Sequence, residues 1–316
     1  MLDTAAPIPE RIGPYRILDV LGEGGMGVVY EADETGPVRR RVALKVIRAG
    51  LATREVVARF DAERQALAMM DHAGIAKVLA AGETEQGLPY VVMELVRGMP
   101  LTLYCDTHRL TIAQRIDLFI QVCHAVQHAH QKGVIHRDLK PSNILVVEED
   151  GGPRPKIIDF GVAKAVGRRL TENTLITHAG VALGTAAYMS PEQAEGAGLD
   201  VDTRADIYSL GVILFELLTG KLPVDPESLG YHQFLVRLAS SEWQVPIPSA
   251  RFAALTHEQG TLAHLRRTEP ERLIRELQGD LDWIVLSAIE PDRARRYPTA
   301  NALVLDLQRA RHDEPV

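Results

Sequence analysis

From Tyr15 to Val96 the pattern of apolar and polar positions is strand-rich. YRILDVLGEG (15–24) and GVVYEAD (27–33) read as two strands folded about a glycine turn. RVALKVI (41–47) is a β-branched run bounded by Arg39, Arg40 and Arg41 on one side and Gly50 on the other. Val56, Phe60, Leu67 and Met70 then follow helical spacing and predict a helix from about Arg54 to Met70. IAKVLAAGE and LPYVVMEL predict two more strands around a TEQG turn. After Gly98 the period becomes helical. TIAQRIDLFIQVCHAVQHAHQKG is a long amphipathic segment carrying Ile112, Ile116, Phe119, Ile120, Cys123 and Val126, with Gly133 as its stop. NILVV and KIIDF predict short strands joined by EEDGGPRP. Residues 162–190 are rich in Thr and Gly and predict a long loop, a length that usually serves function. ADIYSLGVILFELLTG is apolar on most sides and predicts a buried helix. Residues 223–270 read as irregular and proline-containing, then charged; ERLIRELQGDLDWIVLSAI and TANALVLDLQRAR predict closing helices. The layout is α+β: a disordered lead (1–13), a small strand-rich lobe (14–95), a larger helical lobe (96–310) and a short tail (311–316).

Composition narrows the classes. With 46% hydrophobic and 24% charged residues over 316 positions, the chain matches ordinary globular proteins, not a disordered or disulfide-rich one. At ~100–200 residues per domain its length suits about two domains. A net charge of −7 gives no footprint for nucleic acid, and the Arg39–Arg41 cluster reads as a solvated turn. Cys105 and Cys123 are too few for a Cys-rich zinc site and read as buried small apolar groups. His124 and His128 share a helical face without a further ligand pattern and read as ordinary helix residues. The longest apolar stretch, LGVILFELL, contains Glu216 and falls far short of the ~20 residues a membrane span needs. MLDTAAPIPE lacks the basic start and apolar core of a signal peptide, so a cytoplasmic location is expected.

Four groups of residues carry chemistry. Gly22, Gly24 and Gly27 are spaced G-x-G-x-x-G, and glycines let a backbone approach phosphates closely. A dinucleotide-binding turn would need a helix next. Val28, Val29 and Tyr30 are strand-like instead, so the glycines belong to a flap between strands. Lys45 sits in an apolar strand and Glu63 on the apolar face of the following helix. Two misfits of opposite sign in adjacent elements point to a buried ion pair, better evidence for function than for stability. His136, Arg137, Asp138, Lys140 and Asn143 crowd one loop between apolar flanks. Asp159 ends an apolar strand beside a glycine. Its carboxylate and the Asn143 amide are oxygen ligands suited to magnesium, which takes the rest of its shell from water and phosphates.

In this order the groups resemble the eukaryotic-type protein kinase family, its serine/threonine branch, with a bacterial style. The motifs are GEGGMGVV, VALK, HRDLKPSN, DFG and SPE (Ser190, Pro191, Glu192), with Asp206 opening the buried helix and Arg296 matching the usual partner of Glu192. The resemblance runs from about Tyr15 to about Leu307 and implies a bilobal kinase fold. It implies ATP and Mg2+, with Mn2+ able to substitute. Gly22, Gly24 and Gly27 would cover the phosphates, and Lys45, positioned by Glu63, would hold the α- and β-phosphates. Leu21, Val29, Ala43 and Leu145 would enclose adenine, Met93 would be the gatekeeper, and the backbone of Glu94 and Val96 would bind the adenine edge. Asp138 would accept the hydroxyl proton, Lys140 would neutralise the γ-phosphate, and Asn143 and Asp159 would bind metal. Lys140 and Thr185 imply serine/threonine acceptors in proteins. Arg137 before Asp138 implies activation by phosphate in the loop, at Thr171, Thr174 or Thr177. The resemblance further implies pairing of kinase domains through the small lobe, and a regulatory region following this segment. The alternative, an ATP-binding pseudokinase scaffold, would call for loss of Lys45, Glu63, Asp138, Asn143 or Asp159, and all five are present.

Overall fold

Residues 9–24, 27–36, 39–47, 70–160, 186–195, 201–240 and 244–316 are described by a computed structural model of the chain. Its first sheet contains β1 (Arg11–Ile12), β2 (Tyr15–Gly24), β3 (Gly27–Glu34), β4 (Arg41–Ile47), β5 (Val78–Glu83) and β6 (Pro89–Glu94), all antiparallel, in the order β1-β2-β3-β4-β6-β5. Register sorts the side chains into two layers. Tyr30, Leu44 and Val92 form one cross-strand row and join Ile12, Tyr15, Ala32, Val42 and Tyr90 in a small core. The flanking rows, Val29–Lys45–Val91 and Glu31–Ala43–Met93, point the opposite way because side chains alternate along a strand. One face of the sheet thus closes its own core, while the other presents Lys45 and Ala43.

A second sheet, β7 (Met99–Pro100), β8 (Ile144–Glu149) and β9 (Gly152–Ile157), lies in the larger part. The two parts are stitched at Ile75, which bridges Ile157. The Ala76 N–H donates to the Ile157 carbonyl at 2.9 Å, and the Ile157 N–H to the Gly74 carbonyl at 2.8 Å. Helix α1 (Leu101–Thr107) leads into α2 (Ile112–Gln131). Thr111 and Gln114 cap α2 reciprocally, the T-x-x-Q pattern satisfying donors that the first turn leaves open. The short α3 (Pro191–Ala194) precedes α4 (Arg204–Thr219), which is buried on nearly every face, as its apolar sequence predicts.

A helix ending inside a core strands its last carbonyls. Here two arginines, each 1% exposed, take them up. Arg266 donates to the carbonyls of Leu217 (2.9 Å) and Leu218 (2.6 Å), and Arg115 to that of Leu217 (3.3 Å). Desolvation, with the nearby Arg115 charge, pulls Arg266 down to about 9. Gly220 closes α4 at φ 80°; a Cβ there would stand 2.6 Å from Leu262 Cδ2 and 3.1 Å from the Arg266 guanidinium.

Several expectations need correcting. The described residues of 223–270 are largely helical: they hold α5 (Pro226–Leu229), α6 (Tyr231–Leu238), α7 (Pro248–Ala253) and α8 (Gln259–His264). The prolines that suggested loops instead open helices, since Pro226 and Pro248 sit in first turns, where a missing N–H costs nothing. ERLIRELQGDLDWIVLSAI is two helices, α9 (Pro270–Leu277) and α10 (Asp280–Ala288), parted at Gly279 with φ 95°. Most of GGPRP belongs to β9, a sheet edge, where prolines are tolerated. Within the supposedly disordered lead, Arg11 and Ile12 pair with Arg16 and Tyr15, and Ile12 is buried. TANALVLDLQRAR forms α11 (Ala300–Arg311). The helix expected from Arg54 and most of the expected 162–190 loop lie outside the described residues. Both cysteines are buried free thiols, and burial pushes Cys105 up to about 11. Among the described residues no helix is long and apolar enough to cross a membrane.

Candidate active site

The three glycines divide into two kinds. A Cβ on Gly27 would lie 2.0 Å from the Val46 carbonyl oxygen, so β4 itself demands that glycine. A Cβ on Gly22 or Gly24 would meet nothing within 4 Å, and neither residue has a positive φ. What these two glycines supply is open space. Of the apolar residues expected to enclose adenine, Leu21 is exposed, Val29, Met93, Val96 and Leu145 are half-buried, and Ala43 is buried.

Lys45 is only 8% exposed, and its ammonium pairs with the Asp159 carboxylate. Glu63, its expected partner, lies outside the described residues, as does Thr185. Asp159 has φ 60°, a left-handed conformation costing a non-glycine residue about 1–3 kcal/mol unless its surroundings impose it. The imposing contact is next door: the Ile158 N–H donates to the Asn143 carbonyl at 2.9 Å, tying the end of β9 to the turn Pro141–Asn143. The Asn143 amide nitrogen donates to the Asp138 carbonyl (2.8 Å) and carboxylate (3.3 Å), and Lys140 Nζ lies 3.2 Å from the same carboxylate. With its nitrogen committed to Asp138, Asn143 has its amide oxygen left to offer a cation. Among the described residues no cluster of three or more His, Cys, Asp or Glu could hold a metal. A hard cation here would draw on Asp159, Asn143 and oxygens from outside the protein.

The loop carrying Asp138 is fixed from beneath. Asp206, fully buried in the first turn of α4, accepts the backbone N–H groups of His136 and Arg137, each at 2.8 Å, and contacts His130 Nε2 at 2.8 Å. Burial alone would raise this carboxyl; the His130 hydrogen bond and charge, with His136, outweigh it and hold the group below the usual range. Arg137 is left-handed at φ 64°, and its carbonyl accepts from Gln193 Nε2 at 2.9 Å. His136 is buried against Phe160, with ring centroids 4.7 Å apart. Its Nδ1 accepts the Asp138 N–H at 3.2 Å, so the proton sits on Nε2 and is donated to the Ile158 carbonyl at 3.2 Å. One neutral ring thereby joins the Asp138 loop to the Asp159 segment.

Desolvation pushes His136 below its usual 6.5, against the pull of the Asp206 and Asp138 charges. Its folded pKa is depressed, so its contribution to stability is present above about 6.5 and is lost as pH falls through the folded value. Nitrogen-detected NMR at pH 7 is expected to show a neutral Nε2–H tautomer that titrates only below 6.5. A protonated ring at neutral pH would contradict the geometry.

Segment 186–195 is anchored on α4. Tyr188 donates its hydroxyl to Glu216 at 2.6 Å, and Ser209 donates to the Tyr188 carbonyl at 2.7 Å. Arg296 forks onto both oxygens of Glu192, each contact 2.8 Å, and stacks over Tyr208 at 5.0 Å. Burial would raise Glu192; the Arg296 fork overcomes it and holds the carboxyl below its usual range.

Of the expected site residues, Lys45, Asp138, Lys140, Asn143 and Asp159 meet in one bonded network. Arg40 and Arg41, read as a solvated turn, pair with Glu34 and Glu31. His130 and Gln193 were missed as supports of the loop. Their partners lie 76 and 56 positions away, and no spacing rule reaches that far.

A match to the family described as protein kinase domain covers residues 15–261, and the chain belongs to that family. The chain is 40% identical over 249 residues to the serine/threonine-protein kinase Pkn1 of Myxococcus xanthus, covering 78% of this chain and 35% of the relative. It is 37% identical over 306 residues to the serine/threonine-protein kinase PrkC of Bacillus subtilis, covering 96% and 41%. These matches place it with the bacterial serine/threonine kinases. The chain spans less than half the length of these curated relatives. The crystal structure of the Mycobacterium tuberculosis PknI kinase domain is similar, with a TM-score of 0.65 and 25% identity, covering 95% of this chain and 97% of that one. The family in general uses ATP and a divalent metal ion.

Proposed function

We propose that this chain transfers the γ-phosphoryl group of ATP to serine and threonine hydroxyls of proteins. The observation that carries the reading is the continuous network from Lys45 through Asp159, Ile158 and Asn143 to Asp138 and Lys140. Phosphoryl transfer needs alignment and charge neutralisation more than covalent help, and this network offers two cations, two carboxylates and an amide. The apolar residues Leu21, Val29, Ala43 and Leu145 would enclose adenine, with Met93 behind it and the Glu94 and Val96 backbone along its edge. Gly22 and Gly24 leave room for phosphates, which their N–H groups and that of Gly27 would meet. Lys45, supported by Glu63, would hold the α- and β-phosphates. The Asp138 carboxylate would accept the hydroxyl proton as the oxygen bonds to phosphorus and ADP leaves, while Lys140 offsets the γ-phosphate charge. Asp159 and Asn143 would hold Mg2+, or Mn2+ in its place. When bound, the cation supplies charge neutralisation at the phosphates.

Thr185 would orient Asp138 and Lys140, and phosphate on Thr171, Thr174 or Thr177 would dock on Arg137. Partners on this reading are cytoplasmic protein substrates, a second kinase domain at the small lobe, and a regulatory region following residue 316. The test is incubation with ATP and Mg2+ or Mn2+ beside a generic basic protein, followed by phosphoamino-acid analysis. Phosphoserine and phosphothreonine are expected. Phosphotyrosine, or no phosphate despite ATP binding, would sink the reading.

A further inference from the structure

Lys156 has no part in the chemistry above, yet it makes one of the less exposed ion pairs described. It sits in β9, and its Nζ lies 2.5 Å from Glu94 Oε1, with side chains 17% and 31% exposed. Glu94 ends β6, where the chain leaves the first sheet for the second. Its other carboxylate oxygen accepts the Lys77 N–H at 3.3 Å, and its own N–H donates to the Lys77 carbonyl at 2.8 Å. Register completes the picture. Glu94 stands opposite Val42 in the first sheet, and Lys156 stands opposite Leu145 in the second. The pair therefore ties the connecting segment of one sheet to the strand partner of Leu145 in the other. Arg97, in the same segment, pairs with Glu31 of β3 at 2.8 Å.

From this geometry we infer that Lys156 is a positioning residue for nucleotide binding: by holding Glu94, it sets the distance between the adenine-edge backbone at 94–96 and the Leu145 floor. The inference deepens the kinase reading and rests on it. Lys156 pairs with Glu94, whereas the cation at Asp138 is Lys140, so its removal acts on nucleotide binding and leaves the transfer step alone. A partly buried, charge-assisted contact of this kind is worth about one tenfold factor.

The experiment measures steady-state kinetics and ATP binding by calorimetry for the wild type, Lys156→Met, Lys156→Arg, Glu94→Gln and the Glu94→Gln/Lys156→Met double variant. Lys156→Met should raise Kd and KM for ATP roughly tenfold with kcat unchanged. Lys156→Arg, which can still donate to Glu94, should restore most of the affinity. The double variant should bind ATP no worse than Lys156→Met, because losing the lysine has already removed the charge-assisted contact that Glu94→Gln weakens. A Lys156→Met chain that binds ATP like the wild type would overturn the inference. So would a fall in kcat that tracks the folded fraction while KM stays put, since that marks a purely structural lysine. A wild-type chain that binds no ATP would instead sink the kinase reading, and the inference about Lys156 with it.

Discussion

Asp138→Asn is expected to leave a folded chain that still binds ATP and transfers phosphate roughly 10²–10⁴-fold more slowly, the usual worth of a positioned general base. The amide keeps the size of the carboxylate and can still accept from Asn143, so the loop keeps its shape. What it loses is basicity at the atom that would receive the proton, together with the anion that Lys140 faces at 3.2 Å. Single-turnover phosphate transfer reads the chemical step, and calorimetric ATP binding reads the site around it. Equal transfer rates in the two proteins would remove Asp138 from the mechanism. Loss of ATP binding alongside activity would mean that the substitution had collapsed the Asn143 network.

The second large effect is on stability. Arg296→Met should destabilise the chain by about 3–5 kcal/mol, because it strands the half-buried Glu192 carboxylate without its fork. It also removes donors from the carbonyls of Glu290, Arg204 and Pro291, at 2.6, 3.0 and 2.9 Å. Breaking a buried pair costs far more than replacing both members with apolar groups. The double variant Glu192→Leu/Arg296→Met should therefore recover a substantial part of the loss in urea unfolding. A double variant as unstable as the single one would locate the cost in the orphaned carbonyls and not in the carboxylate.

The sequence disclosed local order well and long-range support poorly. Strands β2, β3, β4 and β6 follow from short apolar and β-branched runs punctuated by turns, and α2 from its helical period and the Gly133 stop. Lys45, Asp138, Asn143 and Asp159 were legible because charged or amide groups amid apolar runs are misfits that need a reason. Proline misled in both directions: Pro226 and Pro248 open helices that looked like loops, and Pro153 and Pro155 sit in an edge strand that looked like a turn. The partners of Lys156 and His130 were invisible for another reason. Each is an ordinary polar residue on a regular element, and only the packing of distant segments gives it an ion to meet.

The division among the glycines has a practical consequence. Gly27 is locked by the β4 backbone, so any side chain there costs folding, whereas the air above Gly22 and Gly24 belongs to no part of the protein. Foldability and vacancy are thus encoded by different letters of one motif. A methyl or isopropyl group at position 22 would act as a built-in plug, giving a chain that folds normally and rejects nucleotide.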